Sequence, residues 1–326
     1  MTEQSTAKPS IVFMFSGQGS QYYQMAKDLY LHHRVFTAKL EYCAEVIKSH
    51  QGPSIIDELF SKPMTEEFDD LAVTHPTLMA VQYALYHTLL AEGIKPDKVW
   101  GASLGELVAA VVAEVISIET GLLIAIEHAR RISQHCPYGG MMAVMTNDSH
   151  FAEYQRRWPK LSFGGVNFAN HFTVSGDLLS LASLQQYLDE QQISFFKLPV
   201  RYAFHSPAIL PAKVGFIDFC RQQTWQAQPA LPFVSTQAAN YVNQVDGDYF
   251  WLVVQSSMRF ADTVAFLEKQ GPHIYIDCGP SGTGATFVKY NLTADSQSIF
   301  FSVMTQFGQG QKNIDTIKKL LKTRAG

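Results

Sequence analysis

The chain is poor in cysteine. Its four, Cys43, Cys136, Cys220 and Cys278, lie far apart in sequence and form no C-x-x-C or other metal-ligand spacing, which favours reduced, mostly buried thiols of a cytosolic protein. No metal site is expected. Long apolar runs are missing too: none reaches the roughly 18 residues needed to span a bilayer, and the opening "MTEQSTAKPS" lacks the pattern of a cleavable signal. The expectation is a soluble, cytoplasmic protein without a membrane partner. Positive charge is not in excess, since 25 Lys and Arg stand against 29 Asp and Glu for a net charge of −4. Nucleic-acid binding relies on a strong positive field, so nucleic acid is not expected as a partner. Internal repeats and low-complexity segments are absent.

What is present suits a folded enzyme. With 326 residues, 47% of them hydrophobic, the chain buries one large core, or a core and a smaller lobe, without disulfide staples. "SIVFMFSG" is apolar, β-branched and aromatic, and reads as a buried strand of a parallel sheet, with a helix from about Tyr22. "HPTLMAVQYALYHTLLAEGI" has helical spacing, Pro76 near its start and Gly93 near its end. "PDKVWGASLGELVAAVVAEV" then gives a strand, a tight glycine turn and a helix, a succession typical of an α/β core with a mostly parallel sheet. From about Gly139 to Val200, "GGMMAVMT", "SFGGVNFANHFTVSG", "LASLQQYLDEQQI" and "SFFKLPV" read as strand, strand, helix and strand. The domains expected are therefore a core of residues 1–138 and 201–326 and an α+β insertion of 139–200. "HIYIDCGPSGTGATFVK" repeats the strand, turn and helix, and "NIDTIKKLLKTRAG" closes as an amphipathic helix with a basic face.

Three segments carry chemistry. Gly101, Ser103 and Gly105 fill the pattern G-x-S-x-G, in which a serine on a sharp strand-to-helix turn has its hydroxyl lifted off the sheet. A serine nucleophile needs a base, and among 11 histidines His205 in "VRYAFHSPAIL" is the best placed, after an apolar stretch and before a proline. About 120 residues follow it, whereas α/β-hydrolases carry their histidine late, so that fold is disfavoured. The turn Gly17-Gln18-Gly19-Ser20-Gln21 directs backbone N–H groups either at an oxyanion or at a phosphate, although it lacks the lysine of a P-loop.

In this order, "FSGQGSQ", "GASLGE", "YAFHS" and "GPSG" resemble the malonyl-CoA:acyl carrier protein transacylase family, including the acyltransferase domains of polyketide synthases, from about Ile11 to Thr305. The resemblance implies a hydrolase-like α/β core with an inserted ferredoxin-like small subdomain. It places the nucleophile on Ser103, the catalytic histidine on His205 and the oxyanion amides on Gln18 and Leu104. The histidine is then oriented by a backbone carbonyl near Val253 or Val254. The implied reaction is ping-pong through an acyl-serine, with no cofactor of the protein's own: 4′-phosphopantetheine arrives on the carrier protein or on CoA. Acyl carrier protein domains of a polyketide synthase are the implied partners. They are usually acidic, so Lys318, Lys319, Lys322 and Arg324 of the last helix are candidate contacts.

Several positions depart from malonyl-transferring members. Ala102 stands where histidine usually precedes the serine. Twenty-five residues past the serine, His128 occupies the place of the arginine that binds the substrate's free carboxylate. Arginine offers a permanent charge and a two-pronged fork, a histidine one donor and little charge at pH 7. Arg130 and Arg131 do not replace it, since a two-residue offset turns a side chain by about 200°. His75 replaces a glutamine, and Tyr202-Ala203-Phe204 forms the specificity loop. Asn167 matches the small-subdomain asparagine, so the candidate substrate-binding residues are His75, His128, Asn167, Tyr202 and Phe204. This combination most resembles the stand-alone acyl hydrolases of trans-acyltransferase polyketide synthases, which clear stalled acyl groups from carrier proteins. The alternatives are a trans-acting malonyl or other acyl transferase and an inactive carrier-protein docking partner.

Overall fold

The run SIVFMF forms strand β1 (Ser10–Phe15), whose residues from Val12 onward are buried. In the computed structural model, which describes residues 9–226 and 228–323, ten further strands follow: β2 (Lys98–Gly101), β3 (Gly140–Val144), β4 (Ser162–Phe168), β5 (His171–Gly176), β6 (Phe195–Lys197), β7 (Phe233–Ser235), β8 (Asn240–Tyr241), β9 (Met258–Arg259), β10 (His273–Asp277) and β11 (Ile299–Ser302). They build an α/β fold of two sheets.

The larger sheet runs β11-β10-β1-β2-β7-β8 and is parallel except for β8. β1 and β2 are neighbours with Phe15 opposite Gly101. The glycine turns that follow them therefore leave the sheet side by side at its carboxyl end, where ligands of open α/β sheets bind. Helix Leu71–Ala91 is apolar all round and buried along most of its length, as a central helix should be. It begins five residues ahead of Pro76, with Asp70 accepting from Ala72 N at 3.0 Å as its cap, so the proline lies inside it. The helix expected from Tyr22 starts instead at Lys27, because Gln24 and Ala26 adopt left-handed φ of 69° and 58° that no helix tolerates. Among the described residues no helix is long and apolar enough to cross a membrane.

The second sheet runs β6-β3-β5-β4-β9. Its first four strands are antiparallel and, with helices Phe151–Arg157 and Leu178–Glu190, give the βαββαβ order of a ferredoxin-like unit around Val144, Tyr154, Phe172 and Leu184. Two features differ from the sequence reading. "FAEYQRR" is a helix, seven residues being too few to show a period clearly. "SFGGVNFANHFTVSG" is a hairpin rather than one strand, reversed at Asn170 with φ 62°. Strand β9, from outside residues 139–200, pairs parallel with β4 at Gly165 and Met258. A Cβ on Gly165 would lie 2.1 Å from Met258 O, so only glycine permits that approach. Arg201 forks onto Asp69 at 2.7 and 2.8 Å, a second tie beside the boundary of the small unit.

Candidate active site

Between β2 and helix Gly105–Val112, Ser103 adopts φ 53°, a strained left-handed conformation. The flanking glycines follow from contact distances. A Cβ on Gly105 would fall 2.0 Å from Phe15 O, and one on Gly101 would fall 2.3 Å from Glu106 Cα, so hydrogen is needed at 105 for the turn to pack on β1 and at 101 for it to fold back on its own helix. Buried Glu106 secures the helix from behind: its carboxylate accepts from Tyr249 OH and, at 3.1 Å, from Gln237 N. Burial pushes its pKa up to about 7.

His205 comes from the segment after β6, also at left-handed φ (58°), held by Ser206, which caps the short 3-10 helix begun by Pro207. Ser103 Oγ and His205 Nε2 are 3.0 Å apart. On the far side of the ring, Nδ1 lies 2.6 Å from Ser256 O. A carbonyl only accepts, so the proton is on Nδ1, and Nε2 is left free to accept the serine proton. The orienting carbonyl is thus Ser256, not Val253 or Val254. Helix Tyr249–Gln255 ends there with orphan carbonyls to offer, and Ser256 leaves it in extended geometry, while Val254 O accepts His205 N at 2.9 Å.

The turn after β1 faces the serine: a Cβ on Gly17 would meet Ser103 Cβ at 2.8 Å and Leu104 N at 3.2 Å. Gln82 holds this turn through Ser16 N and Ser16 O at 2.7 and 3.0 Å. The Gln18 and Leu104 amides have no protein acceptor among the described residues. Two uncommitted N–H groups in turns that meet at Ser103 are what an oxyanion there would require.

A cavity of about 380 Å³ contains Ser103, His205, Gln18 and Ala102, and has apolar walls of Met14, Trp100, Met141, Leu198, Phe204, Met258, Phe260 and Phe287. Among the described residues no Lys or Arg lines it, and the one acidic side chain that does is the buried Asp277. That carboxylate accepts from Gly279 N and Ala285 N at 2.8 and 2.9 Å, and burial raises its pKa to about 6.

Of the expected substrate-binding residues, Asn167 and Phe204 line this cavity, whereas His75, His128 and Tyr202 do not. Those three lie behind its wall. Gln18 Nε2 donates to His75 Nδ1 and, at 3.0 Å, to Thr74 Oγ1. His75 Nε2 in turn donates to His128 Nδ1 at 2.9 Å, and His128 Nε2 is sealed without a partner. The two rings stack, and Phe204 and Phe216 pack on them with centroids 4.9–6.0 Å apart. Burial lowers the His128 pKa to about 3 and that of His75 well below its ordinary value. Arg130 and Arg131 both turn to Glu127, at 2.7 and 2.5 Å. Tyr202 tilts onto exposed Tyr138 at 5.5 Å. In the last helix Lys318 pairs with Glu92, and Arg324 lies outside the described residues.

Sequence reasoning missed His171, Trp100, Phe260 and Asp277. His171 was legible in principle, since strand periodicity sets it on one face with Thr173, and both line the cavity.

The titrations carry a prediction. His75, His128 and His205 (held near pH 4) all sit below the ordinary 6.5, with burial as the leading cause. Because their folded pKa values are depressed, their stability contribution is complete above about pH 6.5 and is lost as pH falls, at a cost of roughly 3 kcal/mol each for His128 and His205 by pH 4. Urea melts should therefore weaken steeply from pH 6.5 to 4.5, with more than one proton taken up on unfolding; a flat profile contradicts the burial. Where the fold survives, His205 should stay an unprotonated base down to about pH 4, and fluorophosphonate labelling of Ser103 should keep its acid limb there rather than at 6.5.

The fold and this pocket define an acyltransferase-type α/β protein. A family model described as "Acyl transferase domain" matches residues 12–319, and the chain belongs to that family. It is 35% identical over 310 residues to the polyketide biosynthesis acyltransferase homolog PksD of Bacillus subtilis (strain 168), covering 94% of this chain and 95% of that one. The homolog BaeD of Bacillus velezensis (strain DSM 23117 / BGSC 10A6 / LMG 26770 / FZB42) is 34% identical with the same coverage. Among solved structures, the acyltransferase domain from the second module of the salinomycin polyketide synthase superposes with a TM-score of 0.84 at 26% identity, over 95% of this chain and 72% of that one.

Proposed function

We propose that the chain is a cytoplasmic acyl carrier protein thioester hydrolase of polyketide biosynthesis, working through Ser103 and His205. Ser103 Oγ passes its proton to His205 Nε2 and attacks the thioester carbonyl. The oxyanion takes the Gln18 and Leu104 N–H groups; the carrier thiol then leaves with the proton from Nε2, and an acyl-serine remains. Water attacks next, His205 takes its proton, and Ser103 recovers it as the acid departs. The 4′-phosphopantetheine enters with the carrier protein, so no cofactor resident in the chain takes part.

One observation carries the choice of substrate. The position that would clamp a carboxylate holds two neutral, mutually hydrogen-bonded imidazoles, sealed behind Gln18 and Phe204. A malonyl group would meet mainly apolar walls and Asp277, with no Lys or Arg among the described lining residues to pair its charge. A charge-assisted bond is worth roughly 1.5–3 kcal/mol, about ten- to a hundredfold in selectivity. Uncharged acyl chains are thereby favoured. Intact-mass spectrometry with malonyl-CoA and, separately, with acetyl and longer acyl carrier proteins tests this. Ser103 should load from the uncharged carriers and release acid to water. Intact acyl carriers together with efficient malonyl transfer would instead establish the transferase, and no loading from any donor would favour a docking role.

A further inference from the structure

The pocket walls are mainly apolar, and on the small unit three polar side chains interrupt them: Asn167, His171 and Thr173. Asn167 and His171, 3% and 7% exposed, meet at the turn end of the β4–β5 hairpin, either side of the reversal at Asn170. Asn167 Nδ2 donates to His171 Nδ1 at 3.0 Å, so the ring's own proton is on Nε2. Asn291 fixes the pair from the core, Nδ2 donating to Asn167 O at 2.7 Å and to Phe287 O at 2.8 Å. Phe168 stacks on the imidazole at 4.6 Å and Phe287 tilts onto it at 5.1 Å, which removes its freedom to turn. Among the described residues His171 Nε2 has no protein acceptor, and unlike His128 Nε2 it is not sealed from the surface. Ser103 lines the same cavity.

We propose that His171, oriented by Asn167, donates its Nε2–H to a neutral oxygen of the thioester substrate, a hydroxyl or carbonyl carried on the acyl chain or on the pantetheine arm. A donor this buried and unpaired in an apolar pocket favours a ligand that satisfies it and penalises one that does not, the strongest form of discrimination available to a neutral site. The rigid tautomer makes the ring a donor there and not an acceptor. The inference rests on the thioester reading above in its choice of ligand, but binding tests it without turnover.

The ligands are amide analogues in which NH replaces the thioester sulfur. Butyryl and 3-hydroxybutyryl groups are each placed on a short N-acetylethylenediamine arm and on a full aminopantetheine arm, and Kd is measured by calorimetry for the wild type and His171→Phe. If the oxygen is on the acyl chain, the wild type prefers 3-hydroxybutyryl by about tenfold; if it is on the arm, it prefers the full arm by a similar factor. In either case His171→Phe, which keeps the stacking, brings that ratio to within about twofold of unity, and Asn167→Leu, which frees the tautomer, lowers it independently. His171→Gln, which keeps a donor, should recover part of it. Ratios unmoved in both the Phe and Leu variants, or a wild type without either preference, would overturn the proposal. Binding that follows this pattern in a protein that hydrolyses no acyl carrier would sink the hydrolase reading alone.

Discussion

Ser103→Ala is expected to abolish acyl-enzyme formation and to lower acyl thioester turnover by on the order of 10⁴-fold or more. The physical ground is the 3.0 Å approach of Ser103 Oγ to an imidazole whose other nitrogen is committed to Ser256 O. Removing the hydroxyl leaves the base, the Gln18 and Leu104 amides and the cavity in place, so substrate binding should survive while the covalent route disappears. His205→Gln should cost a comparable factor without adding much to the serine substitution in the double variant, because the two act on one proton. Mass spectrometry after incubation with an acyl carrier reads the adduct, and steady-state release of acid reads the rate. An acyl adduct retained in Ser103→Ala would move the nucleophile elsewhere and end the proposed mechanism. The fold should hardly notice the change. Ser103 has φ 53° in either form, and alanine tolerates this conformation about as poorly as serine.

His128→Arg is the second large effect, and its sign depends on the packing. From the sequence, arginine there looks like a simple restoration of a carboxylate clamp. In the structure the site is 2% exposed, between His75, Phe204 and Phe216, and the nearby acid, Glu127, is already shared by Arg130 and Arg131. A guanidinium placed there is a buried charge without a counterion, a situation that costs about 3–5 kcal/mol. The apo variant should therefore melt well below the wild type. Malonyl-CoA should restore part of the loss by supplying the missing carboxylate, since a ligand that binds the folded form stabilises it by mass action. Thermal melts with and without malonyl-CoA, against acetyl-CoA as the uncharged control, decide the matter. An undiminished melting temperature would show that the pocket behind Gln18 is not sealed, and equal rescue by both ligands would remove the clamp argument.

Much of the site was legible along the chain because its parts are local. A strand, a glycine turn and a helix are visible between Lys98 and Val112, and the spacing of Gly101 and Gly105 marks the tight serine turn, which the companion motifs then made an elbow. The same holds for the GQGSQ turn and for the parallel core, whose strands are continuous apolar runs. His205 needed the order of the motifs as well, since one histidine among 11 has no local mark of a base.

What escaped the sequence is what depends on distant segments meeting. His75 and His128 are 53 residues apart, and their contact with each other, with Gln18 and with Phe204 turns two expected ligands into a neutral layer behind the wall. Ser256 supplies the carbonyl first placed at Val253 or Val254, because the end of a seven-residue helix is set by how its last turn packs. The hairpin at Asn170 brings His171 beside Asn167, and β9 carries Met258 against Gly165. The sequence by itself determined the serine turn and the kind of sheet that bears it, since these follow from backbone sterics and hydrophobic pattern over short spans, while Ser103 as nucleophile came from the resemblance carried by the order of the motifs. The tertiary structure alone decided which side chains line the cavity and in what charge state, because burial and pairing are properties of the assembled core.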